Sequence, residues 1–179
     1  WPIAGLYAAE HYFAKVDDLY ANGEGRGNST GFDCVDELFT IKPGMLHVVT
    51  GIPSMGKSEF VDQLIFNLAR QYDWKSVVCS FENPPALHQT KLLEKAVGRP
   101  FHRGATPRMT EEEMEAGLAW INENFVFMEQ SDGTSATIDQ ILDRATAAVR
   151  RIGVRILVID PYNYIDLPIG GRTSETNLI

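Results

Sequence analysis

Eight consecutive residues have the types and spacing needed to hold a phosphate: Gly51, Ile52, Pro53, Ser54, Met55, Gly56, Lys57 and Ser58. They fit the pattern G-x-x-x-x-G-K-[ST] without a mismatch. The two glycines let the backbone turn tightly and come close to an anion that a Cβ would hold off. The N–H groups of such a loop converge on phosphate oxygens, together with the N-terminus of the helix behind it. Lys57 is placed to reach β- and γ-phosphates, and the Ser58 hydroxyl is placed to ligate Mg²⁺. In an empty loop, Lys57 is expected to face solvent.

Two acids complete the candidate chemistry. Glu82 closes the apolar run Ser76–Phe81, and Asp160 closes Ile156–Ile159. If both runs are strands of a parallel α/β sheet, the two acids fall at carboxyl ends, where ligands gather in such sheets. Asp160 then has the form of the acid that holds a Mg²⁺ shell. Glu82 is the candidate general base that positions and activates a water. His47 lies within an apolar run and His88 on a helical stretch, neither with a ligand partner at metal spacing, so both are read as structural. The acidic run Glu111–Glu113 suits the positive end of a helix dipole and needs no catalytic role.

The elements that must position these groups can be read from periodicity. Met45–Thr50, entered through the turn Pro43-Gly44, reads as a buried strand leading into the phosphate loop. Phe60, Val61, Leu64, Ile65 and Leu68 continue as a helix over about 57–72. Ser76–Phe81 is a second strand. Pro84-Pro85 opens a helix, where proline is well placed, and Gly98 closes it. Thr110 to Glu113 forms a capping box, with a helical face at Met114, Leu118, Ile121 and Phe125 and a short strand over 125–128. Ile138, Ile141, Leu142, Ala145, Val149 and Ile152 mark another helix, closed by Gly153, before a fourth strand ending in Asp160. Strands alternating with helices of this length imply a mostly parallel sheet covered on both faces.

The remaining segments are less specific. Tyr12, Phe13, Val16, Leu19 and Tyr20 give an amphipathic helix over about 8–22, which either packs on its own domain or docks on a neighbouring subunit. Gly23–Gly31 reads as a flexible linker. The basic loop with Arg99, His102, Arg103 and Arg108 reads as solvated in preference to nucleic-acid-binding. We therefore divide the chain into a linker helix and loop (residues 1–28) and a nucleotide-binding core (29–179).

Bulk properties narrow the class. A chain of 179 residues suits one domain, and 44% apolar with 22% charged residues describes an ordinary globular protein. No apolar run reaches the length of a membrane span, so no membrane partner is expected. A net charge of −8 argues against a surface dominated by DNA-backbone contacts. Cys34 and Cys79 lack metal spacing and point to reduced thiols in a cytoplasmic setting. The chain opens on Trp1 and closes just as a helical pattern begins, as expected of a piece of a longer protein.

At this point the pattern resembles the helicase domain of hexameric replicative DNA helicases of the DnaB type, in particular the Twinkle-like and phage primase-helicase branch with a toprim domain upstream. The matching residues are Ser29-Thr-Gly-Phe32, Pro43-Gly44, the loop 51–58, Ser80-Phe-Glu82, Lys91-Leu-Leu-Glu94 and Leu157-Val-Ile-Asp160. The chain departs from the usual pattern at Met55 and at Pro161–Asn163.

This resemblance implies an incomplete RecA-like P-loop NTPase core with ATP and Mg²⁺ as cofactors. By it, Glu82 is the catalytic glutamate and Lys57 a catalytic phosphate contact. Asp160 and Ser58 are the metal residues. It further implies a homo-hexamer acting on single-stranded DNA in a bacterial or phage-infected cell. Residues 163–179 would begin a DNA-facing loop whose cation is Arg172, and the arginine finger would lie past Ile179. The isolated stretch is then expected to bind nucleotide but turn it over poorly. A RecA- or KaiC-type ATPase shares the same core, although Glu82-Asn83 stands where KaiC-like proteins carry two acids. A catalytically silent nucleotide-binding module is the third reading.

Overall fold

The computed structural model describes residues 4–129 and 137–165. Two compact units divide between Leu46 and His47. In the first, a 3₁₀ turn at Ala9–Tyr12 runs into helix α1 (Phe13–Asn22), which ends at Gly23 with φ of 70°. No residue of α1 is buried, and Phe13 (61% exposed) and Tyr20 (93%) stand open.

The linker beyond α1 is firmer than its composition suggests. Asn28 and Ile41 exchange backbone hydrogen bonds of 2.7 and 2.9 Å. Asp36, in the short helix α2 (Asp33–Asp36), accepts from Thr30 N and Thr30 Oγ1, both at 2.7 Å, and from Ser29 Oγ. These donors hold the Asp36 carboxyl below its ordinary pKa. A Cβ at Gly27 would stand 2.6 Å from Ile41 O, so that glycine is required by close approach. The expectation of a flexible loop through Gly31 is thus corrected for residues 27–31. Glycine and serine were serving tight pairing and side-chain capping there.

The second unit contains helices α3 (Lys57–Tyr72), α4 (Pro85–Val97), α5 (Glu111–Asn124) and α6 (Ile138–Ile152), with strands β1 (Ser76–Ser80), β2 (Phe125–Phe127) and β3 (Ile156–Asp160). The sheet is parallel with order β2-β1-β3. Ser76 to Ser80 pair in register with Ile156 to Asp160, which brings the carboxyl ends of β1 and β3 side by side.

Alternation along the strands separates two apolar faces. Val78 of β1, with Ile156 and Val158 of β3, packs on Ile65 and Ala69 of α3, Leu92 and Leu93 of α4, and Ile121 of α5. Cys79, Leu157 and Ile159 face the other way, onto Ile141 of α6 and Ile165. Helices therefore cover both faces, as the alternation of elements required.

Local chemistry sets the helix ends. Thr110 and Thr137 each accept from the backbone N–H three residues on, while Glu113 and Gln140 reach back to complete capping boxes. Gly98 and Gly153 close α4 and α6 in the left-handed region, each with φ of 72°. Helix α5 comes very close to α4 because residue 117 is glycine. A Cβ there would overlap Leu93 Cδ1.

One element is corrected. Residues 45–50 form no strand and pair with no described strand, and Met45 (63%), Leu46 (88%) and Val48 (79%) are exposed. Among the described residues the sheet consequently has three strands, not four. An apolar run supplies side chains suited to a strand, but only a neighbouring edge supplies the hydrogen bonds that make it one. Strand β1 lies between two partners and is buried from Ser76 to Cys79, whereas β3 is half-buried throughout.

Candidate functional site

The phosphate-loop residues lie between the exposed run and α3. Ser54 (φ of 61°) and Gly56 (φ of 81°) both adopt left-handed backbone, the second at the N-cap of α3. A Cβ is disfavoured at such angles, which accounts for glycine at 56. Left-handed turns of this kind aim successive N–H groups into a concavity suited to an anion. Gly51, Ile52, Pro53, Ser54, Met55 and Gly56 are exposed, and Lys57 and Ser58 half-buried in the first turn of α3.

Lys57 does not project freely. Its Nζ donates to Ile52 O at 3.0 Å, and its stem lies over Gly51, where a Cβ would stand 3.7 Å from Lys57 Cδ. The expectation that Lys57 faces solvent is corrected, because a flexible ammonium satisfies itself on the nearest loop carbonyl. The groups fit a nucleotide's phosphates: an ammonium already held over the loop, N–H groups at a helix start and no side chain at Gly51. The Ser58 hydroxyl and the Asp160 carboxylate are oxygen donors, the type a hard divalent cation takes.

The ladder sets the strand ends that carry the two acids side by side. Asp160 pairs with Ser80, and Phe81 N donates to Asp160 O at 2.9 Å, so Glu82 emerges beside the end of β3. Glu82 is exposed. Among the described residues, no hydrogen bond or ion pair ties loop 51–56 directly to Glu82 or Asp160.

The connection runs instead through α3 and α4. Glu59, one residue past Ser58, bridges Lys91 (3.2 Å) and Lys95 (2.8 Å) of α4. The hydrogen bond from Lys95 is the main cause holding the Glu59 carboxyl below its ordinary pKa, with Lys91 adding to it. One turn after Ser58, Asp62 meets His88 of α4, Oδ1 to Nε2 at 2.8 Å, with both side chains buried. The helix that begins at the phosphate loop is thereby joined to the helix that follows Glu82.

Sequence reasoning missed Asp62, Glu59, Lys91 and Lys95 as a set. Asp62 carried a signal: with Ile65 and Ala69 it falls on the buried stripe of α3, where a lone acid needs a partner. His88 likewise shares a helical face with Leu92. A groove of about 610 Å³ opens between α4 and α5, lined by Pro84, Gln89, Leu93, Phe101, Met114 and Glu129. It is mainly apolar, contains no phosphate-loop residue and has no cation for a phosphate, so the chemistry of the loop outweighs the size of the groove. The sequence-expected DNA loop lies outside the described residues from 166 on, and Arg172 with it.

A family model described as the DnaB-like helicase C terminal domain matches residues 27–177. The chain is also 40% identical over 185 residues to the Twinkle homolog protein, chloroplastic/mitochondrial, of Arabidopsis thaliana. That alignment covers 100% of the chain and 26% of the relative, so the chain spans about a quarter of the curated relative's length. Among the described residues, no helix is long and apolar enough to cross a membrane.

Proposed function

The chain belongs to the DnaB-like helicase C-terminal domain family, and from that premise we propose that it is the ATP-binding core of a replicative DNA helicase. The reading is carried by one arrangement. A glycine-rich loop opens α3, α3 is joined by three polar contacts to α4, and α4 begins just after Glu82, beside Asp160.

In this reading the backbone N–H groups of loop 51–58, which every residue but Pro53 carries, cradle the β- and γ-phosphates of ATP, and Lys57 exchanges the Ile52 carbonyl for phosphate oxygen. Ser58 and Asp160 would hold Mg²⁺, which would supply neutralising charge for phosphoryl transfer. Glu82 accepts a proton from the attacking water and orients it in line. Its exposure keeps the carboxylate available at the mouth of the site.

Hydrolysis is coupled to movement on single-stranded DNA within a homo-hexamer, each site being completed by an arginine of the neighbouring subunit. Residues 29–179 form the core in this scheme, with 1–28 as linker. The unpaired thiols Cys34 and Cys79 suit a reducing compartment. The plant relative's name extends the expected cytoplasmic setting to an organelle.

The test is ATP turnover and fork unwinding by the full-length protein, with and without single-stranded DNA. Glu82→Gln is expected to keep ATP binding and lose about 10²- to 10⁴-fold in turnover, because an amide cannot take the proton. DNA-independent turnover, or wild-type turnover by Glu82→Gln, would overturn the reading.

A further inference from the structure

Asp62 and His88 form a polar contact in the buried part of the interface between α3 and α4. Their side chains are 5% and 4% exposed, and the imidazole N–H donates to the carboxylate across 2.8 Å. The other ring nitrogen, Nδ1, is buried with no hydrogen-bond partner among the described residues. The edge of the ring meets Phe127 of β2, with centroids 5.7 Å apart. His88 is thus held by one directional bond and by packing that carries no axial preference.

Cohesion alone does not explain such a pair. Buried charged and polar partners lose hydration that their mutual attraction barely restores, and apolar residues of similar volume often hold an interface as well or better. A directional bond contributes register, which apolar contacts leave free to slide. Its position matters for that reason. Asp62 lies four residues past Ser58, on the same face of α3. His88 lies one turn inside α4, its N–H bonded to Pro84 O at 3.0 Å, and six residues past Glu82. The exposed Glu59–Lys91 and Glu59–Lys95 contacts join the same two helices, but water and salt weaken them.

We propose that Asp62 and His88 are a positioning pair, which sets the axial register of α4 on α3 and through it the placement of Glu82 relative to Lys57 and Ser58. The proposal rests on the assignment of those three residues made above. Neither member touches substrate. Their effect falls on the geometry of proton removal, not on the grip of the loop on phosphate, so it should be felt in kcat and spare nucleotide affinity.

The experiment uses the full-length protein and three variants: His88→Phe, His88→Gln and the double substitution Asp62→Leu/His88→Phe. Each is measured for kcat on ATP, Kd for a non-hydrolysable ATP analogue and the midpoint of urea unfolding. His88→Phe should lower kcat by about 10- to 100-fold, the scale on which displacement of a catalytic group by an ångström acts. Analogue Kd should stay near wild type. The double variant leaves no buried carboxylate unpaired, so its unfolding midpoint should return toward wild type while kcat stays low. His88→Gln, whose amide N–H can reach Asp62, should recover most of the lost kcat.

A kcat that follows the unfolding midpoint through all three variants would make the pair merely structural and overturn the proposal. Wild-type kcat in His88→Phe would do the same. If His88→Phe does not fold, the double variant decides: low kcat with a native midpoint supports positioning, and wild-type kcat refutes it. Glu82→Gln is run alongside. Full turnover in that variant removes the site assignment itself, whereas an inactive Glu82→Gln beside a fully active His88→Phe removes the positioning role alone.

Discussion

The interface between α3 and α4 and the stretch from Met45 to Gly56 are near neighbours in sequence, yet they are held in opposite ways. Across the helix interface, Ile65, Leu92 and Leu93 are buried together, Asp62 meets His88, and Glu59 reaches two lysines. From Met45 to Gly56 every residue is exposed. There the backbone is shaped by local angles at Ser54 and Gly56, and Lys57 caps a carbonyl of its own loop. If the loop receives phosphate as proposed, its exposure leaves its polar groups open to that ligand. The helix interface, by contrast, is held by burial.

This contrast is sharpest for stability. Leu93 is 1% exposed and lies against Gly117, so Leu93→Ala should cost about 2–5 kcal/mol by urea denaturation, through lost burial and the cavity left behind. Leu46 is 88% exposed, and Leu46→Ala should shift the same curve by less than about 0.5 kcal/mol. Comparable losses at the two positions would mean that the 45–50 run is packed after all, and would break the comparison.

Ligand affinity should show the reverse ordering. Lys57→Ala removes a charge-assisted contact to phosphate, worth about 1.5–3 kcal/mol, or roughly 10- to 150-fold in Kd for ATP–Mg²⁺ by calorimetry. Unfolding should hardly change, since Lys57 bonds only to an exposed loop carbonyl. An unaltered Kd would remove the loop from the site.

The smallest effect belongs to Glu59, whose side chain is 50% exposed. Its folded pKa lies below the unfolded one, so its contribution is present above the ordinary carboxylate range and fades as pH falls through the folded value. Exposure to solvent limits that contribution to about 0.2–1 kcal/mol. Glu59→Gln should therefore lower stability slightly at neutral pH and converge on wild type in acid. Added salt should shrink the difference. A gap that persisted in acid would assign the residue a packing role in place of an ionic one.

Much of this architecture could be read along the chain. Helix α3, the capping box at Thr110, and the left-handed ends at Gly98 and Gly153 fall where periodicity and terminal chemistry place them. Each depends on contacts within a few residues, as does the turn at the phosphate loop. Glu82 and Asp160 were legible because a strand's end follows from its own apolar run, and parallel pairing then sets the two ends together.

Contacts between distant segments decided the rest. The run at 45–50 has the composition of a strand, but no described strand pairs with it. The loop at 27–31 has the composition of a linker, but Ile41 and Asp36 hold it. Gly117 reads as a helix weakness until Leu93 is found against it. Asp62 and His88 are 26 residues apart, and neither announces the other. The sequence alone determined the local turns, caps and periodic faces, because short-range sterics and hydrogen bonding set them. Only the tertiary structure decided which edges pair, which glycines admit a neighbour and which buried acid meets which base, because these depend on atoms brought together by folding.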